Sequence, residues 1–297
     1  FFFKNATWRV TATDIQLFDK NTNYVWKDEV LEHNVKRLAD QFRIFRNEAG
    51  ELDIEINYEG ASKFLKYLIN TCRIYWREEN NRIDEDQRAE YWKTHKFDIA
   101  GPMLTDAEVY EQKQHLINKI FALGYLLHRY KNPSKPWCVF AMDNRISEMG
   151  KSFGGSGKSL FFRSVKNMMN SVTLGGRDPK ITENKHIFER VDKYTDFLFI
   201  DDASQSLRFD FFFDCITGSM LVNPKNTQSY EINFDDSPKF GIASNFTIKN
   251  VDPSTSRRLL YTVFSDYYHA LDENGEYQEE RTVFDDFGKN LFFDYTE

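Results

Sequence analysis

The sequence predicts an α/β fold in which helices cover a central, mainly parallel sheet, preceded by a mostly helical N-terminal domain. From Trp137 onward, short apolar runs alternate with segments of helical pattern, which is typical of a sheet covered by helices. A glycine-rich loop at residues 153–159 lies between an apolar run and a helical segment, and a later apolar run at 197–200 ends in two aspartates. Two parallel strands need a long connection between them, usually a helix, and the segments between these apolar runs can supply it.

The length of 297 residues suits one large α/β domain and a smaller one, since domains usually hold roughly 100–200 residues. Residues 132–136 (NPSKP) interrupt a helical pattern, because proline lacks a backbone donor and biases the preceding residue toward extended geometry. We place a domain boundary there, with one domain at 1–134 and the other at 135–297. The chain opens on Phe1 and not on methionine, and we expect a fragment whose upstream part is missing.

The N-terminal domain shows strand character from Thr7 to Phe18, and apolar positions recur at helical spacing after it. The spacing from Ala61 to Tyr75 predicts one face of an amphipathic helix. A second helix is predicted to follow Thr105, whose side chain can cap the helix start while Glu108 reaches back. The predicted apolar face of this helix consists of Leu116, Ile120, Leu123 and Leu127.

Composition argues against several classes of protein. Cys72, Cys138 and Cys215 are far apart and in no metal-binding spacing, so we expect buried thiols, a reducing compartment and no metal site made only of side chains. A net charge of −7 and a pI near 5.5 argue against a broad basic surface that wraps duplex nucleic acid. The sequence lacks an apolar stretch of about 18 residues and a leader pattern, so we expect a cytoplasmic protein with no membrane partner.

The glycine-rich loop predicts a nucleotide site. Between a strand and a helix, glycines let backbone N–H groups point at phosphate oxygens, and the helix dipole adds to the attraction. The predicted nucleotide-binding residues are Gly154, Gly155, Ser156, Gly157, Lys158, Ser159 and Leu160. We expect Lys158 to contact the β- and γ-phosphates of ATP, and the Ser159 hydroxyl to join Mg²⁺. The alternative is a flexible loop with a chance lysine, since Ser152 stands where glycine is usual and residues 143–151 separate the loop from its strand.

Two later strand ends carry polar side chains that complete such a site. The apolar run at 197–200 ends in Asp201 and Asp202, and we expect Asp201 to join the magnesium shell and Asp202 to activate the attacking water. The run at 239–244 ends in Asn245, which could hold that water or contact the γ-phosphate. Taken alone, each strand end is also compatible with a plain polar turn.

An arginine pair, Arg257 and Arg258, precedes the β-prone run at 259–263. It could be the solvated edge of a strand. It could also supply positive charge to the transferring phosphate, a role worth about 10³–10⁵ in rate when an arginine acts as a finger.

The ordered set of loop, acid pair, Asn245 and arginine pair resembles the superfamily 3 helicases, and most of all the poxvirus-type and the phage or plasmid primase-helicases. The resemblance covers residues 137–269. It implies a P-loop NTPase with a modified AAA+-like core behind a collar-like helical domain, assembled as a hexameric ring around single-stranded or forked DNA. ATP would lie between subunits, with Arg257 or Arg258 reaching the γ-phosphate of the neighbour. Of the two we prefer Arg258.

The resemblance also implies a DNA-gripping β-hairpin in the pore and a possible primase-polymerase domain upstream. Residues 223–226 have turn composition, and Tyr230, Ile232 and Phe234 alternate with polar residues as a half-buried strand does. Lys225, with Asn226 beside it, is therefore the predicted DNA contact. The alternative is an ordinary exposed lysine on a hairpin.

The resulting hypothesis is an ATP-driven, ring-forming DNA helicase with ATP and Mg²⁺ as cofactors. An assembly or switch ATPase that does not unwind DNA is the alternative, and in it Lys225 would not touch DNA. A small-molecule kinase is disfavoured, because it leaves the paired acids and arginines unexplained.

Overall fold

The computed structural model describes residues 1–19, 24–145, 154–248, 252–271, 277 and 279–294. The fold is mixed α/β and contains a parallel sheet of five strands. Among the described residues, no helix combines the length and the apolar character needed to cross a bilayer.

The N-terminal region begins with strands. Its strands are β1 (Phe2–Phe3), β2 (Thr7–Val10), β3 (Ile15–Phe18), β4 (Val30–Leu31), β5 (Phe42–Arg46) and β6 (Leu52–Ile56). The first four form one sheet in the order β3-β2-β1-β4, and β5 pairs with β6 as an antiparallel ribbon. The predicted strand character of residues 7–18 is therefore confirmed as β2 and β3.

Four helices follow: α1 (Lys63–Cys72), α2 (Trp76–Asn81), α3 (Arg88–His95) and α4 (Asp106–Leu126). Both predicted helices are confirmed. Ser62 caps α1 by accepting from Leu65 N, and Thr105 and Glu108 form the predicted reciprocal cap of α4. The prediction of helical spacing directly after residue 18 is wrong for residues 42–46 and 52–56, which form β5 and β6. Apolar and polar residues of β6 alternate with the period of two that belongs to a strand, whereas those of β5 do not.

The rest of the chain contains the central sheet and its connections. These elements are β7 (Cys138–Asp143), α5 (Lys158–Lys166), β8 (Ser171–Gly175), β9 (Phe197–Ala203), α6 (Phe213–Thr217), β10 (Met220–Val222), β11 (Tyr230–Ile232), β12 (Lys239–Ser244), α7 (Pro253–Ser256), β13 (Leu259–Phe264) and α8 (Val283–Phe287). The strand order is β13-β7-β12-β9-β8, and every neighbouring pair is parallel. Nearly continuous apolar runs form these strands because both faces of the sheet are covered.

One hydrophobic core reaches across the predicted domain boundary. Tyr67 of α1 and Leu116 of α4 belong to the same buried cluster as Val139 of β7, Phe161 of α5 and Phe264 of β13. A second cluster covers the opposite side of the sheet, between the strands and the α6 to β11 region. The boundary at residues 134 and 135 stays a prediction, and the two parts on either side of it share a core.

The three cysteines are free and buried, as predicted. The described ranges hold no cluster of three or more His, Cys, Asp or Glu side chains suited to a metal ion.

Candidate nucleotide-binding site

The carboxyl ends of three adjacent strands carry the polar side chains of the site. In the order β7-β12-β9, these strands end at or near Asp143, Asn245 and the Asp201–Asp202 pair. Parallel strands place their carboxyl ends at one edge of the sheet, where open α/β sheets bind ligands. The helix α5 begins at the same edge, since its loop follows β7 along the chain.

The predicted phosphate loop adopts a backbone that only glycine takes up readily. Gly155 and Gly157 have φ angles of +98° and +99°, in the region that disfavours side chains. Gly157 is the residue that caps α5. Ser152 and Phe153, at the start of the predicted loop, lie outside the described residues.

The backbone N–H of Leu160, a predicted nucleotide-binding residue, forms a hydrogen bond within the chain. The Leu160 N–H donates to the Gly157 carbonyl at 2.9 Å, and the Leu160 side chain packs against the core. Its backbone donor is thus already used within the chain. Gly154 is exposed and Ser156 is buried, so the loop runs from solvent into the sheet edge.

Lys158 is held by a buried acid that sequence reasoning missed. Its Nζ lies 2.5 Å from Asp143 Oδ1 and 2.9 Å from Ser156 Oγ. The Ser156 hydroxyl also donates to Asp143 Oδ1, at 2.5 Å. The Lys158 and Asp143 side chains are only 8% and 6% exposed, which makes the pair a tight, desolvated one. The signal available in the sequence was the position of Asp143 as the last residue of the strand that precedes the loop.

Asp143 is also incompletely satisfied. Its second oxygen, Oδ2, is buried and receives no hydrogen bond within the described part of the chain. A buried acceptor without a donor costs about 1–3 kcal/mol.

Ser159 and Asp201, the two predicted magnesium ligands, lie in direct contact, and their role in binding a metal ion stays a prediction. The Ser159 hydroxyl donates to Asp201 Oδ1 at 2.7 Å, and Ser159 is exposed while Asp201 is half-buried. A hydroxyl and a carboxylate are ligands that Mg²⁺ accepts, and Mg²⁺ fills its remaining positions with water and nucleotide phosphates. The residues present fit a magnesium ion that arrives with a nucleotide.

Asp202 lies beside an open groove at the same edge. Its backbone has a φ of +53°, a conformation that is uncommon outside glycine and that recurs at functional sites. Asn245 Nδ2 lies 3.5 Å from Asp202 Oδ1, and Arg177 forms an ion pair with the same carboxylate. These side chains, with Ser204 and Phe246, line a groove of about 250 Å³.

Arg177 was not singled out from the sequence. It follows β8 at the sheet edge that carries Asp202, and its side chain is 88% exposed. Only the strand order brings it there, because β8 and β9 are neighbours in the sheet. In the sequence, the available indication of this residue was its position directly after the glycine pair at 175–176.

The two candidate finger arginines differ in burial, which bears on the predicted preference for Arg258. Arg258 is 7% exposed; its Nη1 donates to Ser254 O and Ser254 Oγ, both at 2.8 Å, and its guanidinium lies 4.3 Å from the centre of the Phe213 ring. A guanidinium packed in this way could contact another chain only by losing its contacts with Ser254 and Phe213. Arg257 is exposed, and the geometry favours it for a contact with another chain.

The predicted hairpin is present as β10 and β11, which pair antiparallel from Met220–Ile232 to Val222–Tyr230. Lys225 lies in its loop with a side chain 64% exposed, and its Nζ is 3.7 Å from Glu189 Oε1. Asn226 has a φ of +59°, which fits its predicted turn position. The strand β11 ends at Ile232, so Phe234 lies beyond it. A role of Lys225 and Asn226 in DNA binding stays a prediction.

Comparison with known proteins gives distant structural likenesses. No protein-family model matches the chain, and no curated protein sequence matches it. Among solved structures, the apo C-terminal region of NrS-1 is 14% identical with a TM-score of 0.35 and covers 90% of this chain. JCV helicase with a bound small molecule is 9% identical with a TM-score of 0.31 and covers 69% of this chain. This chain spans 58% and 47% of those two structures. At these values the geometry of the site has to carry the functional argument.

Proposed function

We propose that the chain is a magnesium-dependent ATP hydrolase of the P-loop type and the motor part of a ring-forming DNA helicase. One observation carries the hydrolase: Lys158 and the Ser159–Asp201 pair share a sheet edge with Asp202 and Asn245. A phosphate loop, a metal-binding pair and a second acid beside an open groove are the parts that nucleotide hydrolysis needs.

Each residue has a distinct task in this proposal. Lys158 leaves Asp143 and moves to the β- and γ-phosphates, while Ser159 and Asp201 hold Mg²⁺. The bound Mg²⁺ supplies positive charge that neutralises the phosphate oxygens. Asp202 and Asn245 orient the attacking water from the groove, and Asp202 accepts its proton.

A neighbouring copy of the chain completes the site. Arg257 is exposed and is the proposed finger that stabilises charge on the transferring phosphate of the adjacent subunit. Six copies would form a ring in which the Lys225 hairpins track single-stranded or forked DNA. A few lysines for each subunit suffice, since the copies converge on one axis, and this reconciles DNA binding with the net charge of −7. An upstream primase-polymerase domain and the modified AAA+-like form of the core are part of the same proposal.

Hydrolysis tests the chemistry. Lys158→Ala is expected to abolish ATP hydrolysis, because the β- and γ-phosphates lose their ammonium partner. Lys36→Ala, which changes an exposed lysine of the N-terminal region, serves as the control and is expected to retain the wild-type rate. Hydrolysis by Lys158→Ala at the wild-type rate would contradict the site.

Subunit mixing tests the finger. Arg257→Ala and Lys158→Ala chains are each expected to be inactive alone and to regain part of the activity when mixed, since an intact Lys158 in one chain then meets an intact Arg257 of its neighbour. About a quarter of the sites in an equal mixture would be complete. No recovery on mixing would show that Arg257 does not act on a neighbouring site.

An assembly or switch ATPase that does not unwind DNA is the second candidate. The contact of Lys225 with Glu189 of its own chain favours it, because this lysine already has an intramolecular partner. The Lys225→Ala variant distinguishes the two candidates. A variant that still hydrolyses ATP but no longer unwinds DNA would support the motor. Unchanged unwinding of a forked DNA would contradict the assignment of Lys225 as a DNA contact in the pore. Absence of unwinding by the wild-type chain, with hydrolysis present, would favour the assembly ATPase.

A further inference from the structure

A tyrosine from the N-terminal region touches the phosphate loop directly. Tyr67 of α1 is fully buried, and its hydroxyl donates to the carbonyl oxygen of Gly157 at 2.6 Å, across 90 positions of sequence. Burial raises the pKa of this phenol well above its usual 10, so the hydroxyl remains a donor across the physiological range.

The carbonyl that Tyr67 holds belongs to the peptide unit that opens α5. The same Gly157 oxygen accepts from Leu160 N at 2.9 Å and from Phe161 N at 3.1 Å. A trans peptide is planar, so its C=O and N–H point in opposite directions. Fixing the Gly157 carbonyl toward Tyr67 and the helix therefore aims the Lys158 N–H outward, where the first donors of a helix meet a phosphate.

The ring of Tyr67 packs between two other aromatic rings beside the loop. It stacks on Tyr268 at 6.1 Å and on Phe64 at 5.7 Å between ring centres. A Cβ atom at Gly157 would lie 2.9 Å from the Tyr67 hydroxyl, so the two residues fit only with glycine at 157. The partner ring is itself fixed, since the Tyr268 hydroxyl donates to Asp286 Oδ2 at 2.8 Å.

We propose that Tyr67 is a positioning residue of the nucleotide site, which holds the Gly157–Lys158 peptide in the orientation that binds phosphate. The inference rests on the proposed function and adds a residue outside the predicted motor region to it. The N-terminal region thereby becomes a working part of the site.

The test is Tyr67→Phe, which removes the hydroxyl and keeps the ring. Tyr125→Phe is the matched control, because the partly buried Tyr125 hydroxyl donates to a backbone carbonyl as well, that of Trp137 at 3.0 Å. Binding of a fluorescent ATP analogue and of tripolyphosphate is measured in both variants of the full chain. We expect Tyr67→Phe to weaken both ligands by about threefold to tenfold, the range of one lost hydrogen bond, and Tyr125→Phe to bind as wild type does.

Steady-state hydrolysis gives a second readout. An interaction present in both the ground state and the transition state changes KM and leaves kcat nearly unchanged, and this split is the expected result for Tyr67→Phe. Equal affinity in Tyr67→Phe and wild type, or equal losses in the two variants, would overturn the inference. If Tyr67→Phe is less stable than wild type, nucleotide binding is compared through the rise in melting temperature on adding ATP and Mg²⁺. A rise equal to that of wild type would also overturn the inference. Absence of nucleotide binding by the wild-type chain would instead contradict the proposed function.

Discussion

At the scale of single residues, the proposed chemistry depends on Lys158, whose Nζ lies 2.5 Å from the buried carboxylate of Asp143. Lys158, Ser159 and Asp201 belong to sequence patterns with fixed spacing, and the structure brings the last two into contact. Asp143 has no such pattern, and only the fold places it under Lys158. The choice between Arg257 and Arg258 depended on burial, which two adjacent arginines do not reveal in sequence.

Asp143→Asn tests the resting pair. In the proposed site, the nucleotide takes Lys158 from Asp143 and leaves the freed carboxylate near the negative phosphates. We expect the substitution to tighten ATP binding by about tenfold, which corresponds to about 1.4 kcal/mol. It should also lower the free energy of unfolding without nucleotide by about 3 kcal/mol, since a buried cation loses its counter-ion.

Calorimetric titration with ATP and denaturant unfolding measure the two effects. Asp201→Asn is the contrast in the same site and is expected to weaken binding of ATP with Mg²⁺. Weaker ATP binding in Asp143→Asn would show that Asp143 positions Lys158 for the phosphate and does not compete for it.

At the scale of elements, local rules predicted three helices, α1, α4 and α5, and four of the five strands of the central sheet, all except β8. The capping box at Thr105 and the amphipathic spacing before Tyr75 are short-range features, and both helices form where they indicate. The ribbon of β5 and β6 was missed because β5 does not alternate apolar and polar residues and the alternation of β6 covers only five residues, too few to distinguish a strand from a helical pattern. The order of the strands depends on long-range packing and could not be predicted.

The ion pair at the start of α4 predicts a dependence of stability on pH. Two hydrogen bonds from Arg82, of 2.6 and 2.7 Å, lower the pKa of Glu108 from 4.5 to about 2. A carboxyl whose pKa is lower in the folded state adds stability above its unfolded pKa and loses it as the pH falls. Glu108→Gln keeps a residue that suits the cap, and it should cost about 1 kcal/mol at pH 7 after screening by solvent.

Unfolding curves from pH 7 to pH 3 measure this cost. The difference from wild type should shrink as the pH falls from about 4.5 toward about 2. Glu90→Gln is the control, because its ion pair with Lys93 is exposed on both sides and is expected to contribute little at any pH. A cost for Glu108→Gln that does not change with pH would contradict the assignment.

Two glycines offer a matched test of packing. A Cβ atom at Gly241, in the middle of β12, would lie 2.6 Å from a Phe162 ring atom and 2.7 Å from one of Phe197, whereas Gly124 in α4 has no neighbour within 4 Å. Gly241→Ala is expected to lower the free energy of unfolding by about 1–3 kcal/mol through overpacking. Gly124→Ala should raise it by about 0.5–1 kcal/mol, as alanine favours a helix. Equal effects of the two substitutions in chemical denaturation would contradict the described packing of β12.

At the scale of the whole molecule, the shared core joins the N-terminal region to the candidate nucleotide site. Helices α1 and α4 bury side chains in the cluster that contains β7, α5 and β13, and Tyr67 reaches the phosphate loop from α1. A sequence boundary at a proline-rich segment marks where a helix ends, and it does not show whether the surfaces on its two sides pack together. The division at residues 134 and 135 therefore stays a prediction, and the sequence pattern did not reveal the core that the two parts share.

The most direct test of the account is ATP hydrolysis by the full chain with and without Mg²⁺. The wild-type chain should hydrolyse ATP only with Mg²⁺, and Asp201→Asn should lower the rate by about a hundredfold or more, as loss of one transition-state contact does. Asp210→Asn, which changes an exposed acid paired with Arg208, should match wild type. Hydrolysis that is independent of Mg²⁺, or equal rates for Asp201→Asn and wild type, would contradict the assignment of this sheet edge as the site of ATP hydrolysis.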